Sequence, residues 1–272
     1  MRGPRAAEMT APERTVRRRR WRQRAGMVAH LAQREYSERY RNSAVGVLWF
    51  LSLPIAQLVV LVFLFQRVIP LGIEAYPAFV FCALLPWSWF STSLGSSGGL
   101  FLANRDLVRH PGFSPATLVV VNALSNLLLF VASLPLLLAL LGWHGRAPGL
   151  SLLALPLLLL IQGTLITGLG LAVATLNVFY RDVQHLVSVM LMLGFYLTPV
   201  FYGSRSIGGG KHQLVFQANP MAVLVESYRD VLFEGSFPAA GSLVLVSAVS
   251  AAVLAVGWSL YRARRHDLVD EI

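Results

Sequence analysis

The stretch SPATLVVVNALSNLLLFVASLPLLLALL, Ser114–Leu141, contains no Asp, Glu, Lys, Arg or His. A bilayer core needs roughly 20 apolar residues per spanning helix, and a charge at the centre of such a helix costs about 2.5 to 3.5 kcal/mol on the insertion scale. A run this long and this bare reads as a membrane span. Working outward, the same reading applies to five more segments, giving six spans at about 46–66, 76–98, 115–141, 150–176, 184–203 and 241–261. A mean hydropathy of +0.61 and 13% charged residues exclude an ordinary soluble domain of 272 residues. The predicted fold class is an all-α integral membrane protein with six transmembrane helices.

The first span follows about 45 polar residues, is too long for the apolar core of a secretion signal, and lacks a small-residue cleavage site after it, so it is expected to stay in the membrane. Cys82, the only cysteine, falls in the second span, where it reads as a small packing residue unable to form an intrachain disulfide. The net charge of +10 is unevenly placed: 12 of the 23 Lys and Arg precede the first span. Alternate loops carry 18 on that side and 5 on the other. The positive-inside rule then puts both termini in the cytoplasm and accounts for the basicity without nucleic acid.

Residues 1–26 form a basic tail containing Arg17, Arg18, Arg19 and Arg20. Two readings stand for it, docking to anionic headgroups or simply fixing topology. Residues 27–45 are predicted as an interfacial amphipathic helix, with Val28, Leu31, Ala32, Tyr36 and Tyr40 in one half of the helical wheel. Glu35 and Arg39 project into that same half, where they can pair and suit a protein partner as well as a lipid surface. The six-span domain covers 46–262, and 263–272 is expected to be a cytoplasmic C-terminal tail.

Pro54, Pro86 and Pro135 lie inside spans and predict bent helices. The third and fourth spans are Leu-rich and read as lipid-exposed braces with no specific role. Gly163, Gly168 and Gly170 in the fourth let helix backbones approach closely. About 38 residues separate the fifth and sixth spans, too many for a plain connection. Within them Pro220–Phe233 predicts a short helix with Met221, Leu224, Val225, Tyr228 and Leu232 on its apolar face. The tetrapeptide Tyr-Arg-Asp-Val occurs at 180–183 and again at 228–231, but with different flanks and on opposite predicted sides, so it is not an internal repeat.

Lys211 follows three glycines, yet a phosphate-binding loop needs a glycine where Arg205 stands and a Ser or Thr where His212 stands. No His or Cys set has metal-ligand spacing, and His144 and His185 read as solvated residues at span ends. A transporter driven by protons or sodium would place carboxylates or broken polar helices at midplane. These spans carry none, so transport by this chain would draw its energy from elsewhere. No metal or cofactor is expected on the chain itself.

Four clusters carry a family resemblance from about Arg34 to Arg262. They are Tyr40, Arg41, Ser43, Gly46, Trp49 and Pro54; then Leu85, Pro86, Trp87 and Phe90 with Asn104, Leu107, Val108, Phe113 and Pro115; then Asn177, Tyr180, Arg181, Asp182 and Val183 with Thr198, Pro199 and Val200; and last Asn219, Pro220, Met221, Tyr228 and Arg229. In this order on six spans, the chain resembles the permease subunits of type-two ABC exporters of lipid-linked O antigen, capsule or teichoic acid. Pro111 and Gly112 depart from that pattern, where relatives carry basic residues, and leave the helical length of that loop open.

The resemblance implies a homodimer in the bacterial cytoplasmic membrane, two copies of a cytoplasmic ABC ATPase that bind the ATP and Mg, and a lipid-linked glycan as cargo. On that footing Asn104, Arg105, Asp106, Leu107 and Arg109 are expected to form a coupling helix against the ATPase, with Asn104 as its cap. Arg181, Asp182, Glu35 and Arg39 would add a second contact. Trp49, Trp87, Phe90, Tyr196 and Tyr202 are the expected conduit aromatics, because sugar C–H faces stack on rings. Asn219, Pro220, Met221, Tyr228 and Arg229 are the expected outer gate. The alternatives are export of drugs or small lipids by the same superfamily, and a membrane-embedded glycan-processing protein.

Overall fold

The computed structural model describes residues 48–146, 149–203 and 218–272. The basic tail, the helix expected at 27–45 with Glu35 and Arg39, and Lys211 lie outside the described residues. Among the described residues every regular element is helical and there is no strand. In chain order they are α1 (Leu48–Phe63, continued by a π turn, Leu64–Val68), α2 (Tyr76–Ser97), α3 (Leu100–Ala103), α4 (Arg105–Arg109), α5 (Ala116–Trp143), a 3₁₀ turn (Leu150–Ala154), α6 (Leu155–Phe179), α7 (Val183–Leu197), α8 (Pro220–Leu232), α9 (Ala240–Arg264) and α10 (Asp267–Glu271).

Four of these segments are long and apolar enough to cross a bilayer: Tyr76–Ser97, Ala116–Trp143, Leu150–Phe179 and Ala240–Arg264. Two shorter apolar helices, Pro54–Val68 and Val183–Leu197, fall where the first and fifth spans were expected. Pro54, Pro86 and Pro135 remain within α1, α2 and α5. Helix α2 opens at Ala75, held in the left-handed region at φ 49°, with Pro77 in the first turn, where a missing N–H costs nothing.

Helix α2 is the enclosed centre. From Tyr76 to Trp87 every side chain except Pro77 is buried, and α5, α6, α7, α8 and α1 pack around it. Side-chain donors from four neighbouring helices end on its backbone carbonyls or on that of Gly98, which caps it. Arg229 of α8 reaches Phe79, Gln162 of α6 reaches Pro86 at 2.8 Å, Asn122 of α5 reaches Ser93 at 2.8 Å, Gln184 of α7 reaches Gly95 at 2.6 Å and Asn177 of α6 reaches Gly98 at 2.9 Å. A return bond runs outward, from the Trp89 indole N–H to the Ala123 carbonyl at 3.0 Å.

The third and fourth expected spans brace the fold through directed bonds as well as apolar contact. Both carry buried amides, Asn122, Asn126 and Gln162, that tie into α2 or into one another. Their Leu-rich composition conceals these few polar positions.

Helices α6 and α9 meet backbone to backbone. A Cβ built on Gly168 would sit 2.6 Å from the Leu254 Cα, and one on Gly257 would run into the Gly168 carbonyl. In hydrocarbon, where burial of apolar surface gives no drive to pair helices, such close packing supplies the contact energy. Gly170 similarly admits Val119 and Ser97.

The core falls into two clusters. The larger surrounds α2; the smaller lies at one end of the bundle and includes Phe101, Val108, Leu171, Val178 and Tyr261. Leu268 and Ile272 of the C-terminal segment are buried in that smaller cluster.

Replacing Gly257 by Leu overpacks the α6–α9 contact, a change that costs about 1 to 3 kcal/mol or more. The variant should melt at a lower temperature in detergent, read by size-exclusion after heating. Gly142→Ala, where a Cβ meets nothing within 4 Å, should melt as the parent does.

Candidate functional site

The two ends of the bundle are built differently. At the end holding the smaller core cluster, the chain leaves α2 through Gly98 and Gly99, makes the single turn α3, and enters α4. Val108 is buried and Leu107 half-buried, while Arg105, Asp106 and Arg109 are exposed on the other face. The expectation that Asn104 caps this helix is corrected. Its side-chain N–H donates backward to the Leu100 carbonyl at 2.9 Å, closing α3, and makes no cap bond to α4. The chain then turns through Pro111 and Gly112, the latter at φ +86°, so the loop's helix stops at Arg109.

The turn between α6 and α7 lies at this same end. Arg181 and Asp182 are exposed on it. Its two roots are pinned together: the Asn177 amide donates to the Gly98 carbonyl, its Oδ1 accepts the Gln184 N–H at 3.0 Å, and the Gln184 amide donates to the Gly95 carbonyl. A Cβ on Gly98 would collide with the Gln184 side chain. Sequence reasoning named Asn177 only as a motif residue and missed Gln184. An amide opening an otherwise apolar helix was the available signal.

At the opposite end α8 is set into the bundle. Asn219 caps it, Oδ1 accepting the Met221 N–H at 3.0 Å, and Nδ2 donates to Thr198 Oγ1 at 3.1 Å. Pro220 follows at the first helical position. Met221, Leu224, Val225, Tyr228 and Leu232 are all buried, as the apolar face required. Tyr228 packs its ring on Phe130, centroids 5.9 Å apart.

Arg229 is 6% exposed, and each of its three guanidinium nitrogens donates a hydrogen bond. Nη2 donates to the Val200 carbonyl at 2.6 Å, Nη1 to the Tyr202 carbonyl at 3.2 Å and Nε to the Phe79 carbonyl at 3.4 Å. The Phe79 ring lies under it, 3.8 Å from centroid to guanidinium carbon. Burial pulls its pKa down to about 10, so it stays cationic at neutral pH. Tyr76 adds a fourth contact to the same segment, donating to the Phe201 carbonyl at 2.8 Å. Residues 198–202, where α7 stops at Thr198-Pro199, are thus held by Asn219, Arg229 and Tyr76. The copies of Tyr-Arg-Asp-Val separate cleanly here: Tyr228 and Arg229 are buried, Tyr180 and Arg181 exposed.

Four of the five conduit candidates fall in one run of ring contacts, Phe90–Trp87–Phe195–Tyr196–Phe201–Tyr202, but differ in exposure. Trp87 and Phe90 are enclosed, 6% and 7% exposed, with Trp87 against Phe195 and a Gly194 that leaves room for its indole. Tyr196 stands 62% exposed on the open side of α7, beside Met190, Leu193 and Leu197. Tyr202 is half-buried and donates to the Tyr196 carbonyl at 3.1 Å. Trp49 is placed on α1 by its backbone alone.

The sequence pattern of the ABC-2 type transporter family matches residues 28–233. The chain is 38% identical over 251 residues to the O-antigen export system permease protein RfbA of Myxococcus xanthus, covering 91% of this chain and 95% of that protein. It is 30% identical over 207 residues to the permease of the same name from Klebsiella pneumoniae, covering 76% and 80%. With the polysialic acid transport protein KpsM of Escherichia coli it shares 24% identity over 89% of this chain and 95% of that one. The chain, an all-helical membrane protein in structure, belongs to the ABC-2 type transporter family.

Proposed function

We propose that this chain is the membrane-spanning subunit of an ATP-driven exporter that moves a lipid-linked cell-surface polysaccharide across the bacterial cytoplasmic membrane. The observation that carries the reading is the 38% identity, along almost the full length of both chains, to a protein named as an O-antigen export permease. Physical chemistry supports it from a second side. The four long apolar helices hold no Asp, Glu, Lys, Arg or His apart from Arg262 and Arg264 in the last turn of α9. Without a titratable group at midplane they lack the usual relay for a proton gradient, which favours work done by a separate ATPase.

In this reading α1 with its π turn, and α7 with residues 198–203, are the first and fifth of six spans, and both termini are cytoplasmic. The end bearing Arg105, Asp106, Arg109, Arg181 and Asp182 faces two copies of the ATPase, and a second copy of this chain completes the conduit. The Asn177 and Gln184 pins then join the two ATPase-facing segments into one unit with α2. Helix α8 closes the outer end, with Arg229 as its latch on residues 198–202.

Three outcomes check this. Co-purified with its cognate ATPase in vesicles, the parent complex should hydrolyse ATP faster when lipid-linked glycan is supplied. Equal stimulation by small amphiphilic drugs would favour the drug-export alternative. Reversing the charges, with Arg105→Glu and Asp106→Lys together, should leave basal hydrolysis in place while export falls about tenfold or more, as expected when a few kcal/mol of interface coupling is lost; normal export would remove the coupling role. Arg229→Met removes one donor from each of the Val200, Tyr202 and Phe79 carbonyls, each loss worth about 1 kcal/mol of net hydrogen bonding. Vesicles holding that variant should leak small ions faster than those holding the parent, with Arg229→Lys between the two.

A further inference from the structure

Helix α4, which carries Arg105, Asp106 and Arg109, is five residues long and has no side-chain cap. A helix that short does not hold its shape alone in water. Its position is set by what lies behind the buried Val108 and the half-buried Leu107. Behind them lies the smaller core cluster, and Tyr261, Leu268 and Ile272 of that cluster all come from residues 261–272.

Tyr261 brackets the loop that holds α4. Its ring meets that of Phe101 in α3, centroids 6.4 Å apart, and its hydroxyl stands 3.5 Å from Ser114 Oγ, where the chain rejoins α5. One side chain of α9 thus touches the loop both before and after α4. The chain then turns at Arg265 and His266 and forms α10 against α6, on which α3 also packs. Leu268 is wholly buried there and Ile272 is buried too, while Arg265, His266, Asp267 and Glu271 stay exposed. A further contact reaches the neighbouring turn. The Arg264 guanidinium lies over the Phe179 ring, 5.3 Å from its centroid, just before Tyr180, Arg181 and Asp182. Neither five-residue helix, α4 or α10, is stable by itself, and both bury apolar side chains in the same cluster, so the order of one depends on the other.

We infer that Tyr261, Leu268 and Ile272 are positioning residues for α4: the end of α9 and α10 form the seat that fixes where Arg105, Asp106 and Arg109 stand. The seat follows from the packing. Its consequence for transport rests on the export reading, in which those three residues meet the ATPase.

The test follows amide hydrogen exchange by mass spectrometry on the full chain in nanodiscs. In the parent, the peptide covering 100–113 should be protected at Ala103 and Val108, whose N–H groups donate to the Gly99 and Asn104 carbonyls at 2.9 and 3.0 Å. Leu268→Ala and, separately, Ile272→Ala should speed exchange in this peptide about tenfold, the effect of emptying a buried position in a locally opening unit. The peptide covering α8 should exchange as in the parent. Leu268→Met, which conserves volume, should restore the parent rate. Leu137→Ala empties a position in the larger cluster instead, and should lower the melting temperature while leaving 100–113 unchanged. An unprotected 100–113 in the parent, parent-like exchange there in both seat variants, or an equal loss of protection in Leu137→Ala overturns the seat. With the cognate ATPase in vesicles, glycan exported per ATP hydrolysed should fall about fivefold in Leu268→Ala, the lower end of usual coupling between sites. Parent-like export per ATP alongside faster exchange overturns the positioning role. Because exchange is read without ATPase or glycan, a parent that fails to export sinks the export reading and leaves the seat standing.

Discussion

Four backbone carbonyls of one helix, and that of the glycine capping it, register this bundle. Phe79, Pro86, Ser93 and Gly95 of α2 and Gly98 just beyond it each accept a side-chain donor from a neighbour, so that α5, α6, α7 and α8 are all registered to one spine. A helix carbonyl has a second lone pair after its own helical bond, which makes it available to such donors. In water, amides like Gln162 and Asn122 would be satisfied by solvent and would specify little. In hydrocarbon an amide without a partner is expensive, so each one selects a single rotation and depth for its helix. Apolar packing supplies bulk cohesion, and the amide pins supply register.

The pins are distributed toward both ends, and this links them. Asn177 and Gln184 tie the turn carrying Arg181 and Asp182 to the last turn of α2, directly before the chain enters α4 with Arg105 and Asp106. At the other end Arg229 spans from the Phe79 carbonyl to those of Val200 and Tyr202. The first end is therefore joined to α2, and α2 to the second end through the Arg229 guanidinium and the Tyr76 hydroxyl, which donates to the Phe201 carbonyl.

The apolar architecture was legible from the sequence because its signal is collective. Four of the six expected span positions match long apolar helices within a few residues, shorter apolar helices fall at the other two, and α8 appeared where the spacing of Met221, Leu224, Val225, Tyr228 and Leu232 placed it. What escaped was carried by single residues. Asn104 sits where a cap is expected, but the one-turn helix before it competes for the same side chain and wins. Gln162, Asn122 and Gln184 were hidden by a search directed at charge, although in a lipid solvent a neutral amide is nearly as informative. The duplicated Tyr-Arg-Asp-Val shows the limit most plainly: four identical residues are a solvated turn in one place and a buried latch in the other, and tertiary surroundings alone decide between them.

The distribution of pins also says where the molecule can move. Helices α5 to α9 are registered by amide, guanidinium and glycine contacts whose geometry tolerates little displacement, whereas α1 rests on the bundle through the side chains of Leu58, Leu61, Val62 and Phe65. Contacts between apolar side chains slide at small cost, because dispersion energy changes little when one methyl replaces another. Phe65 in turn stacks on Phe201, 5.3 Å between centroids, so α1 touches the very segment that Arg229 holds. Loss of the Arg229 bonds would leave residues 198–202 held by Asn219 and Tyr76, and so loosen the stacking partner of the first helix. The α8 end of the bundle and the first helix are thereby joined by an aromatic contact, while the helices around α2 are joined by directed hydrogen bonds.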